Sequence, residues 1–300
     1  MKVKERRELI LERARTGRAI TAGDLAHLCQ TAIGTERRLV ACAGERIDHS
    51  VSSRLELFKR VADELPALGL TAELSELWNL HLPLARVIAA WAKVSQPCIC
   101  GIVGLPGSGK TTLTAILQSV VTLTLQQPVT VVSLDDFYFT PKVRQSLGFK
   151  WRAMPGTHDL SLLGRFLAAA RGTSEFITIP RYETRTETRL PEILAPRPRL
   201  ILLEGWFVGA RVPGYEVLAE ALDFLIYVDM EMEIAHRSRL LREERIRLQS
   251  NNALGMSPIE TESFWREAIL PTATKWVLPL KSMADLILKV GEDYRIREVG

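Results

Sequence analysis

The sequence lacks any apolar run long enough to cross a membrane, and no apolar core follows its charged N-terminus, Met1 to Arg7. We therefore expect a cytoplasmic protein with no membrane partner. An excess of one charge is also missing, because 39 lysines and arginines against 35 acidic residues give a net charge of only +4. This mild value suits a site for an anionic nucleotide but does not indicate DNA or RNA as a partner.

Cysteine is scarce as well, with four residues at positions 29, 42, 98 and 100. Cys98 and Cys100 stand two apart in an apolar segment, so both would face the same side of a strand. Two thiols do not supply enough ligands for a structural zinc site. We expect all four cysteines to be reduced, buried thiols.

The composition, 47% hydrophobic and 25% charged over 300 residues, is typical of a globular protein with one large domain or two modest ones. Residues 1–95 show no clear strand signal, and we predict a helical region there, packed on the following domain. Its predicted helices are 6–18, 21–42, 51–65 and 77–94, the last with an apolar face of period 3.6. The second predicted domain spans residues 96–300.

From Pro97 onward, apolar strand-like runs alternate with helix-like segments. The predicted strands are 99–103, 129–134, 176–179, 200–203, 224–228 and 286–290, and the predicted helices are 113–121, 160–170, 215–222, 232–249 and 257–269. Several strands are continuously apolar, as in a parallel sheet covered on both faces. The pattern predicts a doubly wound, mostly parallel α/β fold with ligands at the carboxyl ends of its strands.

The first of these strands runs into the motif G-x-x-x-x-G-K-T at residues 104–111. Glycines allow the backbone amides of such a loop to face phosphate oxygens, helped by the positive end of the next helix. Lys110 would reach the β- and γ-phosphates, and the Thr111 hydroxyl would hold Mg²⁺. The alternative is a chance glycine turn. We predict a phosphate loop that binds a nucleotide, its base left open, through Gly104, Gly107, Ser108, Gly109, Lys110, Thr111 and Thr112.

Polar residues follow the other predicted strands at their carboxyl ends. Asp135 and Asp136 follow the second, Arg181 and Tyr182 the third, Glu204 the fourth and Asp229 the fifth. We expect these groups to converge near the nucleotide phosphates. Transfer of a phosphoryl group to an alcohol needs a proton acceptor and Mg²⁺. An aspartate after the second strand could be that base and Glu204 a metal ligand, although a turn or cap role would also explain them.

The predicted helix 232–249 carries several arginines. An arginine-bearing lid that closes over a triphosphate would exclude water from the transfer. The alternative is a solvated helix face with Glu243 and Glu244 as ion-pair partners. The arginines are Arg237, Arg239, Arg242, Arg245 and Arg247, of which Arg242 is our candidate catalytic residue.

On these residues the chain resembles, over residues 77–290, the P-loop kinases that include uridine kinase, phosphoribulokinase, pantothenate kinase and the D-glycerate 3-kinases. In this group an aspartate in a D-x-F-Y-like motif acts as the base, and Asp135, with Phe137 and Tyr138, matches it. The resemblance therefore implies the P-loop kinase fold, ATP, Mg²⁺ and a small-molecule acceptor. It favours Asp135 over Asp136 as the base.

Three segments are most similar to the D-glycerate 3-kinases: residues 156–160, 180–182 and 204–209. The resemblance implies that Asp159 binds an acceptor hydroxyl and that Tyr182 lies beside the acceptor. His158 is a further candidate substrate residue, and the alternative is a structural loop histidine. Arg181 would supply a planar donor fork for the glycerate carboxylate. After Arg181-Tyr182 the family typically has Asp-Lys-Ser, whereas this chain has Glu-Thr-Arg at 183–185.

The acceptor therefore stays open between D-glycerate, our first choice, and pantothenate or uridine. A different class of protein, a P-loop nucleotide-dependent switch, shares the same loop. The GTPases of that class usually carry Asn-Lys-x-Asp, which this sequence lacks. The sequence indicates no oligomeric state.

Overall fold

The computed structural model describes residues 12, 47–70, 72–93, 97–251 and 254–300. Apart from Glu12, the predicted helices at 6–18 and 21–42 lie outside the described residues, as do Cys29 and Cys42. The chain forms two compact units: one holds the described residues up to 93 with 112–129 and 299, and the other holds 97–111, 130–298 and 300. The predicted domain boundary between residues 95 and 96 stays a prediction.

The first unit contains helix α1 (Ile47–Ala67) and helix α2 (Leu82–Trp91), which follows a short helix at Leu74–Glu76 and a π-helical turn at Leu77–His81. The apolar spacing predicted for 77–94 becomes a buried helix face, and Leu84, Val87 and Ile88 are fully buried. Phe58 of α1 meets Trp78 edge to face, with ring centroids 5.6 Å apart. These aromatic and aliphatic contacts give the unit its own core.

The described residues form eight strands in two sheets. They are β1 (Cys98–Gly104), β2 (Val129–Ser133), β3 (Phe176–Glu183), β4 (Thr188–Pro196), β5 (Leu200–Gly205), β6 (Phe224–Asp229), β7 (Leu286–Val290) and β8 (Ile296–Val299). The six-stranded sheet has the order β2-β5-β1-β6-β7-β8. The β1–β5, β1–β6 and β6–β7 pairs are parallel. All residues of β1 and β5 are buried, which explains their continuous apolar runs.

Helices alternate with these strands along the chain, as predicted. They are α3 (Lys110–Leu125), α4 (Pro141–Ser146), α5 (Leu160–Arg171), α6 (Glu216–Ala221), α7 (Met232–Gln249) and α8 (Pro258–Phe264), followed by π-helical and 3-10 turns up to Met283. The prediction of a mostly parallel α/β sheet flanked by helices is confirmed. Cys98 and Cys100 are buried free thiols, as expected. Within the described residues, no helix is both long and apolar enough to span a membrane.

One strand prediction placed its segment in the wrong sheet. Residues 176–179 do not join the parallel sheet but begin β3, which pairs antiparallel with β4 as a separate hairpin. The register of the hairpin shifts between Ile179 and Arg181, at Pro180, which has no N–H to donate to a ladder. Arg181 and Tyr182 therefore lie within a hairpin strand and not beyond the end of a sheet strand.

Candidate active site

The phosphate loop leads from β1, whose last residue is Gly104, into α3. Gly107 has a φ of +91°, and a Cβ atom there would lie 2.6 Å from the backbone oxygen of Ala235 in α7. Only glycine fits this close approach, which brings the first turns of α7 against the loop. Ser108 is 1% exposed, and its hydroxyl has no hydrogen-bond partner within the part of the chain that the structure describes. A buried donor of this kind suits a loop built to contact phosphate oxygens.

Lys110 is the first residue of α3, and its side chain is folded back over the loop. The ammonium donates a 3.0 Å hydrogen bond to the Leu105 carbonyl, and the residue is 8% exposed. Burial lowers the pKa of Lys110, and the nearby carboxylates of Glu204 and Asp135 act in the opposite direction. The structure therefore gathers a buried ammonium and two acidic side chains beside the phosphate loop.

Thr111 and Glu204 provide oxygen atoms at the same place. The Thr111 hydroxyl lies 3.4 Å from Glu204 Oε1. Glu204 is 6% exposed, and burial raises the pKa of its carboxyl group while Lys110 opposes this shift. No cluster of three or more potential metal-ligating side chains occurs among the described residues. One hydroxyl and one carboxylate nevertheless fit Mg²⁺, which typically takes few protein ligands and keeps waters and phosphates. Thr112 is exposed on the first turn of α3.

Asp135 and Asp136 lie in a 3-10 turn directly after β2, and their carboxylates have different surroundings. Asp136 is 4% exposed and accepts from the backbone N–H groups of Ser133 (3.2 Å) and Tyr182 (3.0 Å). Burial raises the pKa of Asp136, and Arg181, whose Nη1 lies 3.7 Å from its carboxylate, opposes this shift. Asp135 is only half-buried. Burial raises the pKa of the Tyr138 hydroxyl, and the nearby Asp135 carboxylate raises it further. Asp136 is thus committed to the backbone, whereas Asp135 faces the site.

Two motifs that are about 20 residues apart in sequence pair side by side. The Phe139 N–H donates to the Thr157 carbonyl at 3.0 Å, and the Asp159 N–H donates to the Phe137 carbonyl at 2.8 Å. This short antiparallel bridge places the His158 ring 4.2 Å from the Tyr138 ring, stacked on it. The segment that follows β2 and the segment that precedes α5 therefore form one wall of the site.

His158 and Asp159, both predicted to contact the acceptor, have structural partners here. His158 is 1% exposed, its Nδ1 lies 2.9 Å from the Tyr215 hydroxyl, and burial lowers its pKa to about 3. The imidazole is therefore neutral at physiological pH. Asp159 caps α5, where its carboxylate accepts from the Leu162 N–H at 2.8 Å. Their contact with an acceptor stays a prediction.

The arginines of α7 differ in burial and in their ion-pair partners. Arg239 is 9% exposed and forms a 2.6 Å ion pair with Glu243, and burial lowers its pKa to about 10. Arg237 pairs with Glu292. Arg242 is exposed and has no ion pair within the described ranges. Burial lowers the pKa of Lys110, and the charges of Arg242 and Arg239 lower it further. Both arginines therefore lie near enough to Lys110 to affect its pKa, and the role of α7 as a lid stays a prediction.

Several residues near the site escaped the sequence analysis. Arg144 and Arg152 both bond to Glu187, which lies 35 or more positions away, so no local spacing could reveal the cluster. Tyr294 lies in the turn between β7 and β8 with a φ of +60°. A Cβ atom at Gly109, whose own φ is +81°, would lie 2.9 Å from its ring. The C-terminal hairpin therefore packs an aromatic ring on the phosphate loop.

Comparison with known proteins assigns this arrangement to a family. The model of the Phosphoribulokinase / Uridine kinase family matches residues 99–297, more than half of the chain. The chain belongs to this family. The enzyme is therefore an ATP-dependent kinase, and the phosphate loop, Asp135 and the arginines of α7 all lie within the matched residues.

Individual relatives are more distant from this kinase. It is 26% identical to the pantothenate kinase of Parvibaculum lavamentivorans, over 82% of this chain and 87% of that one. It is also 26% identical to the pantothenate kinase of Brucella ovis, over 86% of this chain and 91% of that one. Its fold is similar to that of the D-glycerate 3-kinase from Cryptococcus neoformans, with a TM-score of 0.60, 18% identity and coverage of 72% and 98%.

Proposed function

We propose that this kinase transfers the γ-phosphoryl group of ATP to a hydroxyl group of a small, carboxylate-bearing metabolite, with D-glycerate as the first candidate. One observation carries the proposal. The carboxylates of Glu204 and Asp135 lie near the buried Lys110 ammonium and oppose the effect of burial on its pKa. The carboxylate of the neighbouring Asp136, in contrast, accepts two backbone hydrogen bonds. This arrangement separates a phosphate-binding cation from an accessible proton acceptor. Both are needed for transfer to an alcohol.

In the proposed reaction, Lys110 binds the β- and γ-phosphates at the loop. Thr111 and Glu204 would hold Mg²⁺, which when bound would supply positive charge to the phosphates. The acceptor hydroxyl attacks the γ-phosphorus, the bond to the β,γ-bridging oxygen breaks, and the hydroxyl proton passes to Asp135. The Tyr138 hydroxyl, whose pKa is raised by burial and by the nearby Asp135 carboxylate, would orient this carboxylate. Arg242 stabilises the charge that develops on the transferred group.

His158 and Asp159 are proposed to hold the acceptor side of the site in place. Because His158 is neutral and stacked on Tyr138, it positions the tyrosine that orients Asp135. Asp159 lies at the N-terminus of α5, where its carboxylate could also accept from an acceptor hydroxyl. Tyr182 borders the same region, since its backbone N–H holds Asp136. These roles are consistent with the similarity of residues 156–160 and 180–182 to the D-glycerate 3-kinases.

A second acceptor, pantothenate, has its own support. The two curated relatives named above are pantothenate kinases and cover most of this chain. Pantothenate also carries a hydroxyl and a carboxylate, so the same site chemistry could bind it. Uridine has no carboxylate and is the least favoured of the three acceptors.

The test is a coupled assay of ADP release that compares kcat/KM for D-glycerate, pantothenate and uridine at saturating ATP and Mg²⁺. We expect D-glycerate to give the highest value. The highest value for pantothenate would transfer the assignment to the second acceptor. Turnover of uridine with neither carboxylate-bearing acceptor accepted would refute the proposed acceptor class.

A further inference from the structure

Two arginine side chains from separate segments converge on one carboxylate oxygen. Arg144 of α4 and Arg152 of the following loop each donate from Nη1 to Glu187 Oε1, and both distances are 2.8 Å. Glu187 lies in the turn that joins β3 to β4, with a φ of +51°. A side chain in a left-handed turn therefore delivers a carboxylate to a pair of guanidinium groups.

The charges in this cluster are unequal. One carboxylate faces two guanidinium groups, which lower the pKa of Glu187 although burial opposes the shift. Arg144 is 7% exposed, and its Nε has no hydrogen-bond partner anywhere in the described part of the chain. Buried polar donors normally have partners. The cluster therefore offers more donors than the protein itself uses.

The cluster also borders the reacting groups of the proposed mechanism. Arg152 lies near both Tyr138 and Asp135: burial lowers the pKa of Arg152, and these two groups, with Glu187, raise it. Arg189 of β4 donates to the Tyr138 carbonyl at 2.7 Å, which ties the hairpin to the segment that carries the base. Arg181, the residue predicted from the sequence to bind a carboxylate, lies 3.7 Å from the Asp136 carboxylate, and its contact with an acceptor stays a prediction. Arg144 and Arg152 are the guanidinium pair that already binds a single carboxylate oxygen.

We propose that Arg144 and Arg152 form the binding site for the carboxylate of the acceptor, and that Glu187 occupies this site until the acceptor displaces it. The inference rests on the proposed function, because it assumes an acceptor that carries a carboxylate. Two arginines converging on one oxygen are a geometry that suits carboxylate recognition. Glu187 is then an internal competitor. Its release on binding would let the β3–β4 turn rearrange over the acceptor.

The experiment uses the full-length enzyme and two acceptors that differ only at the carboxyl group, D-glycerate and its neutral amide, D-glyceramide. In Arg152→Gln we expect kcat/KM for D-glycerate to fall about 10- to 100-fold, mainly through KM, as for loss of a charged hydrogen bond. The value for D-glyceramide should change little. Glu187→Gln should lower KM for D-glycerate by about 3-fold or more, because a competing occupant is removed. The control is Arg165→Gln, which removes an exposed arginine of α5.

Equal losses for the acid and the amide in Arg152→Gln would overturn the proposal and leave these arginines as anchors of the hairpin. A raised KM for D-glycerate in Glu187→Gln would also overturn it. The thermal midpoint, measured with added D-glycerate or malonate and no ATP, tests the site without turnover. We expect a larger rise in Glu187→Gln than in the wild type and none in Arg144→Gln.

The turnover assay and the thermal series distinguish failure of the proposed function from failure of the proposed carboxylate site. If the wild type phosphorylates neither D-glycerate nor pantothenate, the proposed function is wrong, and the thermal series still decides the carboxylate site. A larger midpoint shift in Glu187→Gln would support the site, and an equal shift or no shift would refute it.

Discussion

The two adjacent aspartates provide a sharp test, because their carboxylates have different surroundings and we propose a different role for each. Asp135→Asn keeps the shape of the side chain but removes the proton acceptor, so we expect kcat to fall by roughly 10²-fold or more with KM for ATP little changed. Asp136→Asn should act on stability. An amide can accept from only one of the two backbone N–H groups that Asp136 now binds, at 3.2 and 3.0 Å. We expect the free energy of unfolding to fall by about 2 kcal/mol, within the range for hydrogen bonds to a charged group.

The assays are ADP release at saturating substrates and equilibrium unfolding in urea, each carried out on both variants. We expect opposite effects in the two variants. Asp135→Asn should lose turnover but not stability, and Asp136→Asn should lose stability but retain most of its turnover when folded. A folded Asp136→Asn enzyme that has lost turnover 10²-fold, beside a mildly affected Asp135→Asn enzyme, would refute the assignment of the base.

Three further perturbations follow from the site. Burial lowers the pKa of His158 to about 3, from an unfolded value near 6.5. The neutral imidazole therefore contributes to the free energy of unfolding in full above pH 6.5. This contribution, up to about 5 kcal/mol, is lost as the pH falls from 6.5 toward 3. His158→Gln should flatten that part of a urea-unfolding pH series, and an unchanged slope would contradict the burial argument. Arg242→Ala should lower kcat by roughly 10²-fold. The control Arg266→Ala, which removes an exposed arginine after α8, should leave kcat unchanged. Equal losses in both variants would indicate only a general effect of positive charge. Gly107→Ala should raise KM for ATP, because its Cβ would lie 2.6 Å from a backbone oxygen of α7. The control Gly164→Ala places its Cβ in open space in α5 and should raise the free energy of unfolding by up to about 1 kcal/mol. Wild-type ATP binding by Gly107→Ala would contradict the close approach.

The central sheet could be predicted from the sequence because its signals are local. The continuous apolar runs of β1 and β5 indicate strands buried on both faces, and both are buried at every residue. The spacing from Gly104 to Thr111 likewise needs no tertiary information, because the loop conformation depends on glycines and on the helix that follows. Helix α7 was predicted with the bounds that the structure has, 232–249.

Local signals fail where the partner of a segment decides its role. The run at 176–179 is a strand, but no periodicity says that its neighbour is β4 in a hairpin and not a strand of the main sheet. The pairing of Phe137 and Phe139 with residues 157–159 is also invisible in the sequence, and it is what buries His158. The motif residues could therefore be named from the sequence, whereas the cluster of Arg144, Arg152 and Glu187, built from distant segments, could not.

The most direct test of the account is ³¹P NMR of the products formed from ATP, Mg²⁺ and D-glycerate by the wild type and by a folded Lys110→Ala variant. The account predicts a new phosphomonoester signal that grows in step with ADP in the wild type and is absent in the variant, since the variant lacks the buried cation that binds the phosphates. Repeating the reaction with pantothenate would show whether the phosphoryl group goes to the second acceptor instead. Formation of ADP and inorganic phosphate alone with both acceptors, or an active Lys110→Ala enzyme, would contradict the account.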